Sequence, residues 1–132
     1  MNDLSLNELE TATPSVVHQA ARDFATALAE TPQFKAYEQA EQQLRGNQAA
    51  QRVIGAYQSK QQSLRMSLML NAASAEERAE LERLRQAFLA ESTVAAYLQA
   101  QADLMALCGA AADLLSQHIG LSFAAACGSG CC

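Results

Sequence analysis

Between its few prolines and glycines, this chain repeats apolar residues every three to four positions, and that spacing dominates what it can fold into. Pro14 and Pro32 stand where helices would begin, and Gly46 and Gly120 where helices would end. Proline suits the first helical turn because its missing N–H has no partner there, and glycine suits the residue past the last turn. With only two prolines and six glycines in 132 residues, the chain lacks the turn chemistry of a sandwich or barrel. Alanine, the strongest helix former, occurs 28 times against seven aromatics, so composition points the same way. The expected fold is all-α.

The pattern divides the chain into about five helices. Residues 1 to 13 are polar and without a period, and read as an N-terminal arm. Val17, Ala20, Ala21, Phe24 and Leu28 then make the apolar stripe of a first helix ending near Glu30. Thr31 and Pro32 restart the chain, and Phe34, Tyr37 and Leu44 face one way until Gly46. Asn47 is the expected N-cap of a longer third helix, striped by Ala50, Val53, Ile54, Tyr57, Leu64 and Leu68 and running towards Asn71. Ser74 and Glu77 have the spacing of a capping box and open a charged fourth helix with Leu81, Leu84 and Phe88 on one side. Ser92 or Thr93 is expected to cap a fifth, along which Val94, Tyr97, Leu98, Leu104, Met105, Cys108, Ala111, Leu115 and Ile119 keep the helical period.

At about 26 residues each, the third and fifth helices would both reach about 40 Å, a match that suits long antiparallel partners in an elongated bundle. So thin a body leaves part of each apolar stripe without an internal partner, which self-association or another protein would cover. Tyr57, Leu64, Leu68, Tyr97 and Leu104 are the expected partner-facing residues. The helical domain spans residues 14 to 120, and a Cys- and Gly-rich tail occupies 121 to 132.

Charge narrows the choice of partner. The formal net charge is −5, and the modestly basic middle places Arg52, Lys60 and Arg65 around a helix rather than along a stripe. A nucleic-acid ligand calls for a basic face, so direct binding of nucleic acid is not expected. Asp3, Glu8 and Glu10 interrupt the start, and polar residues from Gln99 to His118 interrupt the most apolar stretch, so neither a signal peptide nor membrane insertion is expected. The expected location is the cytoplasm.

Catalytic constellations are not apparent. The two histidines, His18 and His118, belong to no zinc-protease motif and adjoin no nucleophile elbow. Carboxylates such as Glu76 and Glu80 sit among charges of both signs, the composition of a solvated face. Tyr37, Tyr57 and Tyr97 lie on apolar faces, where packing or interface roles are the rule. No enzyme activity is expected.

The tail is the one unusual element. Cys127, Cys131 and Cys132 fall within six residues, on a backbone loosened by Gly128 and Gly130. Thiolates at this density suit an iron–sulfur cluster, with further ligation from another chain, from Cys108 or from a non-cysteine group. Zinc held by His118 with the three tail cysteines is an alternative, strained by adjacent ligands. Incidental thiols, redox chemistry and lipid attachment remain open readings of the same residues. Cys108, between Met105 and Ala111 on the fifth stripe, is expected to pack as a small hydrophobe rather than to ligate.

Two segments carry a resemblance. The run Phe24-Ala25-Thr26-Ala27-Leu28-Ala29-Glu30-Thr31-Pro32-Gln33-Phe34-Lys35-Ala36-Tyr37-Glu38-Gln39-Ala40 resembles the opening of the YlbF/YmcA family of small bacterial helical proteins. Glu91-Ser92-Thr93-Val94-Ala95-Ala96-Tyr97-Leu98-Gln99-Ala100 is similar to the point where that family's short acidic helix gives way to its last long one, and Leu104 to Ile119 continue it. The resemblance spans roughly residues 17 to 120 and rests on apolar and tyrosine positions, without a catalytic signature.

The resemblance implies an oligomer-forming regulator. Family members act with one another and with a larger partner protein, promoting mRNA processing by the membrane-bound endoribonuclease RNase Y and influencing competence, sporulation and biofilm programmes. Such complexes carry iron–sulfur clusters, which gives the cysteine tail a purpose. The expected function is therefore a non-enzymatic adaptor. The alternative is a metal-trafficking or thiol-redox protein acting through the tail.

Overall fold

The computed structural model describes residues 13–126. Its helices are α1 (Pro14–Ala29), α2 (Pro32–Gly46), α3 (Gln48–Met69), α4 (Ala75–Ala90), α5 (Ser92–Ile119) and α6 (Phe123–Ala126). No strand occurs among the described residues, and the fold is all-α.

Local chemistry sets most boundaries. Pro14 and Pro32 occupy the first turns of α1 and α2, and the Thr31 hydroxyl accepts from the Phe34 amide at 3.2 Å. Ser74 and Glu77 form the expected capping box, with the Ser74 amide donating to Glu77 Oε2 at 2.8 Å and the Glu77 amide to Ser74 Oγ at 3.1 Å. α3 closes with Asn71 at φ 54°, where the Ala72 amide reaches the Ser67 carbonyl at 2.7 Å and the Asn71 amide the Leu68 carbonyl at 3.2 Å. That is a Schellman closure, which needs a left-handed residue and tolerates asparagine there. Gly120, at φ 73°, ends α5 in the same left-handed region.

Two boundaries differ from expectation. The N-cap of α5 is Glu91, and neither Ser92 nor Thr93 caps it. Thr93 instead receives a hydrogen bond from Asn47 Nδ2 at 3.3 Å and lies 3.3 Å from Glu91 Oε1, so its hydroxyl ties helix ends together. The segment after Gly120, expected as tail, begins with α6, which folds back as the Phe123 amide donates to Ser116 Oγ at 3.0 Å.

The helices form two antiparallel pairs. α2 lies along α5, and α3 along α4. The expectation of α3 against α5 is not what is observed: the short turn at Asn71 returns α4 directly onto α3, and α5 takes its contacts from α2, with Tyr97 on Tyr37 and Thr93 on Asn47. In the first pair Tyr37 meets Tyr97, with hydroxyls 3.2 Å and ring centroids 5.5 Å apart. In the other Tyr57 stacks on Phe88 at 5.3 Å.

Asn47 joins the two pairs. It ends α2, its amide bonding the Leu44 carbonyl at 3.3 Å, and begins α3, its Oδ1 accepting from the Ala50 amide at 3.0 Å. Ala50 is fully buried beside it, and Val94 at the start of α5 is 1 % exposed. With Ala40, Leu64 and Ala100 these complete the buried residues among those described, so the interior is small and three of its five members are alanines.

Candidate protein-interaction surface

A core this small leaves apolar faces open, and they lie where helix lengths fail to match. At about 1.5 Å per residue, the 15 residues of α2 cover about half of the 28-residue α5. Tyr37 opposite Tyr97 and Asn47 opposite Thr93 fix the antiparallel register, which brings Pro32 level with the middle of α5. Roughly three turns of α5 therefore run on past the start of α2. The stripe that α2 covers through Tyr97 and Leu104 continues there as Cys108, Ala111, Leu115 and Ile119. Leu115 is 45 % and Ile119 52 % exposed.

α1 is open as well. It meets α2 to any extent only where the chain turns at Thr31, and none of its residues is buried. Of its apolar stripe Leu28 is half-buried, whereas Val17 and Phe24 are 58 % and 49 % exposed. Its polar side is satisfied within the helix, with Gln19 bonded to both Asp23 and Arg22.

Of the expected partner-facing residues, Leu64 is buried and Tyr57, Leu68, Tyr97 and Leu104 are half-buried along the inward stripes. Around them α2, α3, α4 and α5 enclose a shallow cavity of ≈ 270 Å³, lined by Leu44, Ile54, Phe88, Val94 and Leu98. Its rim charges, Glu41 and Arg45, pair with each other at 2.6 Å. The Tyr37 hydroxyl also holds Tyr97 protonated above the usual tyrosine range, with burial adding to the effect. These groups stabilise one another and leave the cavity essentially apolar.

On α4, Glu80 bonds Arg83 at 2.6 Å and Glu82 bonds Arg85 at 3.2 Å, on a largely solvated face. Arg83 holds the Glu80 carboxyl below its usual range, and Gln86 with Arg85 does the same for Glu82. Both carboxylates stay ionised, the state expected of a solvated face.

Cys108 departs from its expected place. It is exposed rather than packed, lying past the level at which α2 begins. His118 is exposed too, and among the described residues no three His, Cys, Asp or Glu side chains gather where a metal could sit. Cys127, Cys131 and Cys132 lie outside the described residues. No described helix is long and apolar enough to cross a membrane.

Sequence reasoning identified the stripes but not where they would lie open. The signal was available in α1, whose stripe precedes a proline break that separates it from the helix it would otherwise extend.

Comparison with curated proteins and with solved structures gives no match. One protein-family model does match, over residues 17–119, which covers α1 through the end of α5 and includes every open stripe described above. The chain belongs to the family described as control of competence regulator ComK, YlbF/YmcA.

Proposed function

We propose that this chain is a non-enzymatic regulatory adaptor, which works by assembling with copies of itself, with related family proteins and with a larger partner protein. One observation carries the reading: five residues are buried among those described, while the apolar stripes of α1 and of the far end of α5 remain open. A chain that buries so little of its own apolar surface gains its remaining stability by association. The half-buried Tyr97 and Leu104 lie on the α5 stripe that continues into the open end, while Tyr57, Leu68 and the buried Leu64 line the inward stripe of α3.

Membership in a competence-control family supports a regulatory role. The finer reading is modulation of RNase Y-type mRNA processing in the cytoplasm, with an iron–sulfur cluster held by Cys127, Cys131 and Cys132. Three thiols within six residues are a donor set suited to soft metals. The helices hold partners, and the sulfurs staple or sense.

Anaerobic purification followed by iron and sulfide analysis tests the cluster. The wild-type chain is expected to be brown with visible absorption, and replacing the three tail cysteines by serine is expected to abolish both. A colourless, iron-free wild type would reject the cluster, and zinc or copper in its place would favour a metal-trafficking role. Transcript processing in cells carrying charged substitutions on the open stripes tests the adaptor role, and unchanged processing would reject it.

A further inference from the structure

Two open faces of this chain are halves of one helix pair. α2 covers the near part of the α5 stripe and stops at Pro32, and α1, which precedes it, carries an apolar stripe of similar length to the uncovered part. α1 is 16 residues, about 24 Å, against an α5 segment of roughly three turns that α2 does not reach and that α6 meets near Ser116 while Leu115 and Ile119 stay about half exposed. Extending the antiparallel register of the Tyr37–Tyr97 pair, Phe24 falls level with Cys108 and Ala111, Ala20 and Ala21 with Leu115, and Val17 with Ile119. Phe24 thus meets small residues and Leu115 meets alanines, the arrangement that lets two helices interdigitate, and Val17 with Ile119 closes the end of the pair. Yet α1 does not lie along its own α5: its one substantial neighbour is α2, at the turn.

We propose that α1 of one copy lies along the uncovered end of α5 in a second copy, reciprocally, with Thr31–Pro32 as the hinge of the exchange. This rests on the reading of the chain as a self-assembling adaptor, and names the surface and the occupant. The exchange extends the α2/α5 interface using its own register, so a second copy supplies the partner stripe without any new recognition. Residues still about half exposed, chiefly Val16, Val17, Phe24, Leu115 and Ile119, together with the alanines between them, offer at most about 600 Å² per chain when wholly covered. Two chains would bury at most about 1,200 Å², the lower edge of what stable interfaces use. A lipid surface is the wrong occupant, because the polar side of α1 pairs Arg22 and Asp23 through Gln19 and lacks a cationic face. Reciprocal exchange of an end helix about a short hinge is a low-cost route to a two-fold dimer.

Disulfide trapping tests the arrangement. In a full-length chain with Cys127, Cys131 and Cys132 replaced by serine, Phe24→Cys is oxidised against native Cys108, with Gln19→Cys on the opposite side of α1 as control. The exchange predicts a reducible band at twice 14.1 kDa for Phe24→Cys, at least tenfold stronger than for Gln19→Cys. A disulfide confined to the 14.1 kDa monomer, or equal trapping at both positions, overturns it. Phe24→Asp, with helicity checked by circular dichroism, is expected to reduce the sedimenting mass to 14.1 kDa. If that variant keeps the wild-type mass while the wild type exceeds 14.1 kDa, the exchange falls and assembly through other stripes stands. A wild type of 14.1 kDa at every concentration removes self-assembly altogether.

Discussion

Replacing Asn47 should loosen the whole bundle, because one side chain ties two helix ends together, the start of α3 and the start of α5. Its Oδ1 caps α3 through the Ala50 amide at 3.0 Å, and its Nδ2 donates to Thr93 at 3.3 Å. Losing an N-cap costs about 1 kcal/mol, and losing a hydrogen bond between half-buried groups about another 1. Asn47→Ala is therefore expected to cost about 2 kcal/mol, roughly a thirtyfold fall in the folding equilibrium. Asn47→Asp keeps the cap acceptor but has no N–H for Thr93, and places a carboxylate near Glu91, so it should lose about 1 kcal/mol. Urea unfolding at a fixed protein concentration measures both, with the slope unchanged. An Asn47→Ala loss below about 0.5 kcal/mol would refute the cap and bridge together. An Asn47→Asp as damaging as the alanine variant would show that the bridge, and not the cap, carries the effect.

Other expectations follow from the same packing. Val94→Ala removes about two methylenes from a site 1 % exposed, worth about 1.6 kcal/mol, less about 0.5 gained in helix propensity, so urea unfolding should register a loss of about 1 kcal/mol. Ser74→Ala should cost about 1 kcal/mol and raise amide exchange in the first turn of α4, and unchanged exchange there would contradict the capping box. The raised Tyr97 pKa means that the folded state holds this proton more tightly, so the stabilisation is full below the usual tyrosine range and disappears as pH rises through the folded value. Tyr37→Phe should move Tyr97 ionisation, followed by ultraviolet absorbance, back towards the ordinary value, and an unmoved titration would contradict the pairing.

The first five helices, most caps and the direction of each stripe were legible in the sequence because they depend on neighbours within four residues. Thr31, Asn47 and the Ser74 and Glu77 pair act on their own turns, so their roles could be read directly. Thr93 misled because its hydroxyl is drawn to Asn47, 46 positions away, while Glu91 takes the extended cap position. The α5 stripe was legible along its full length, yet which part α2 would cover depends on the register set by Tyr37 and Tyr97, a contact no local pattern encodes. Cys108 illustrates the consequence: its place on the stripe was correct, and its exposure follows from where another helix begins. Likewise, α6 depends on Ser116 accepting the Phe123 amide across the Gly120 turn.

Sedimentation equilibrium of the intact, reduced chain at micromolar concentrations addresses the core of this account. Open stripes on α1 and α5 predict a mass at or above twice 14.1 kDa, falling on dilution. A particle of 14.1 kDa that stays so at hundreds of micromolar would mean that these faces are stable in water and that association is not how the chain acts.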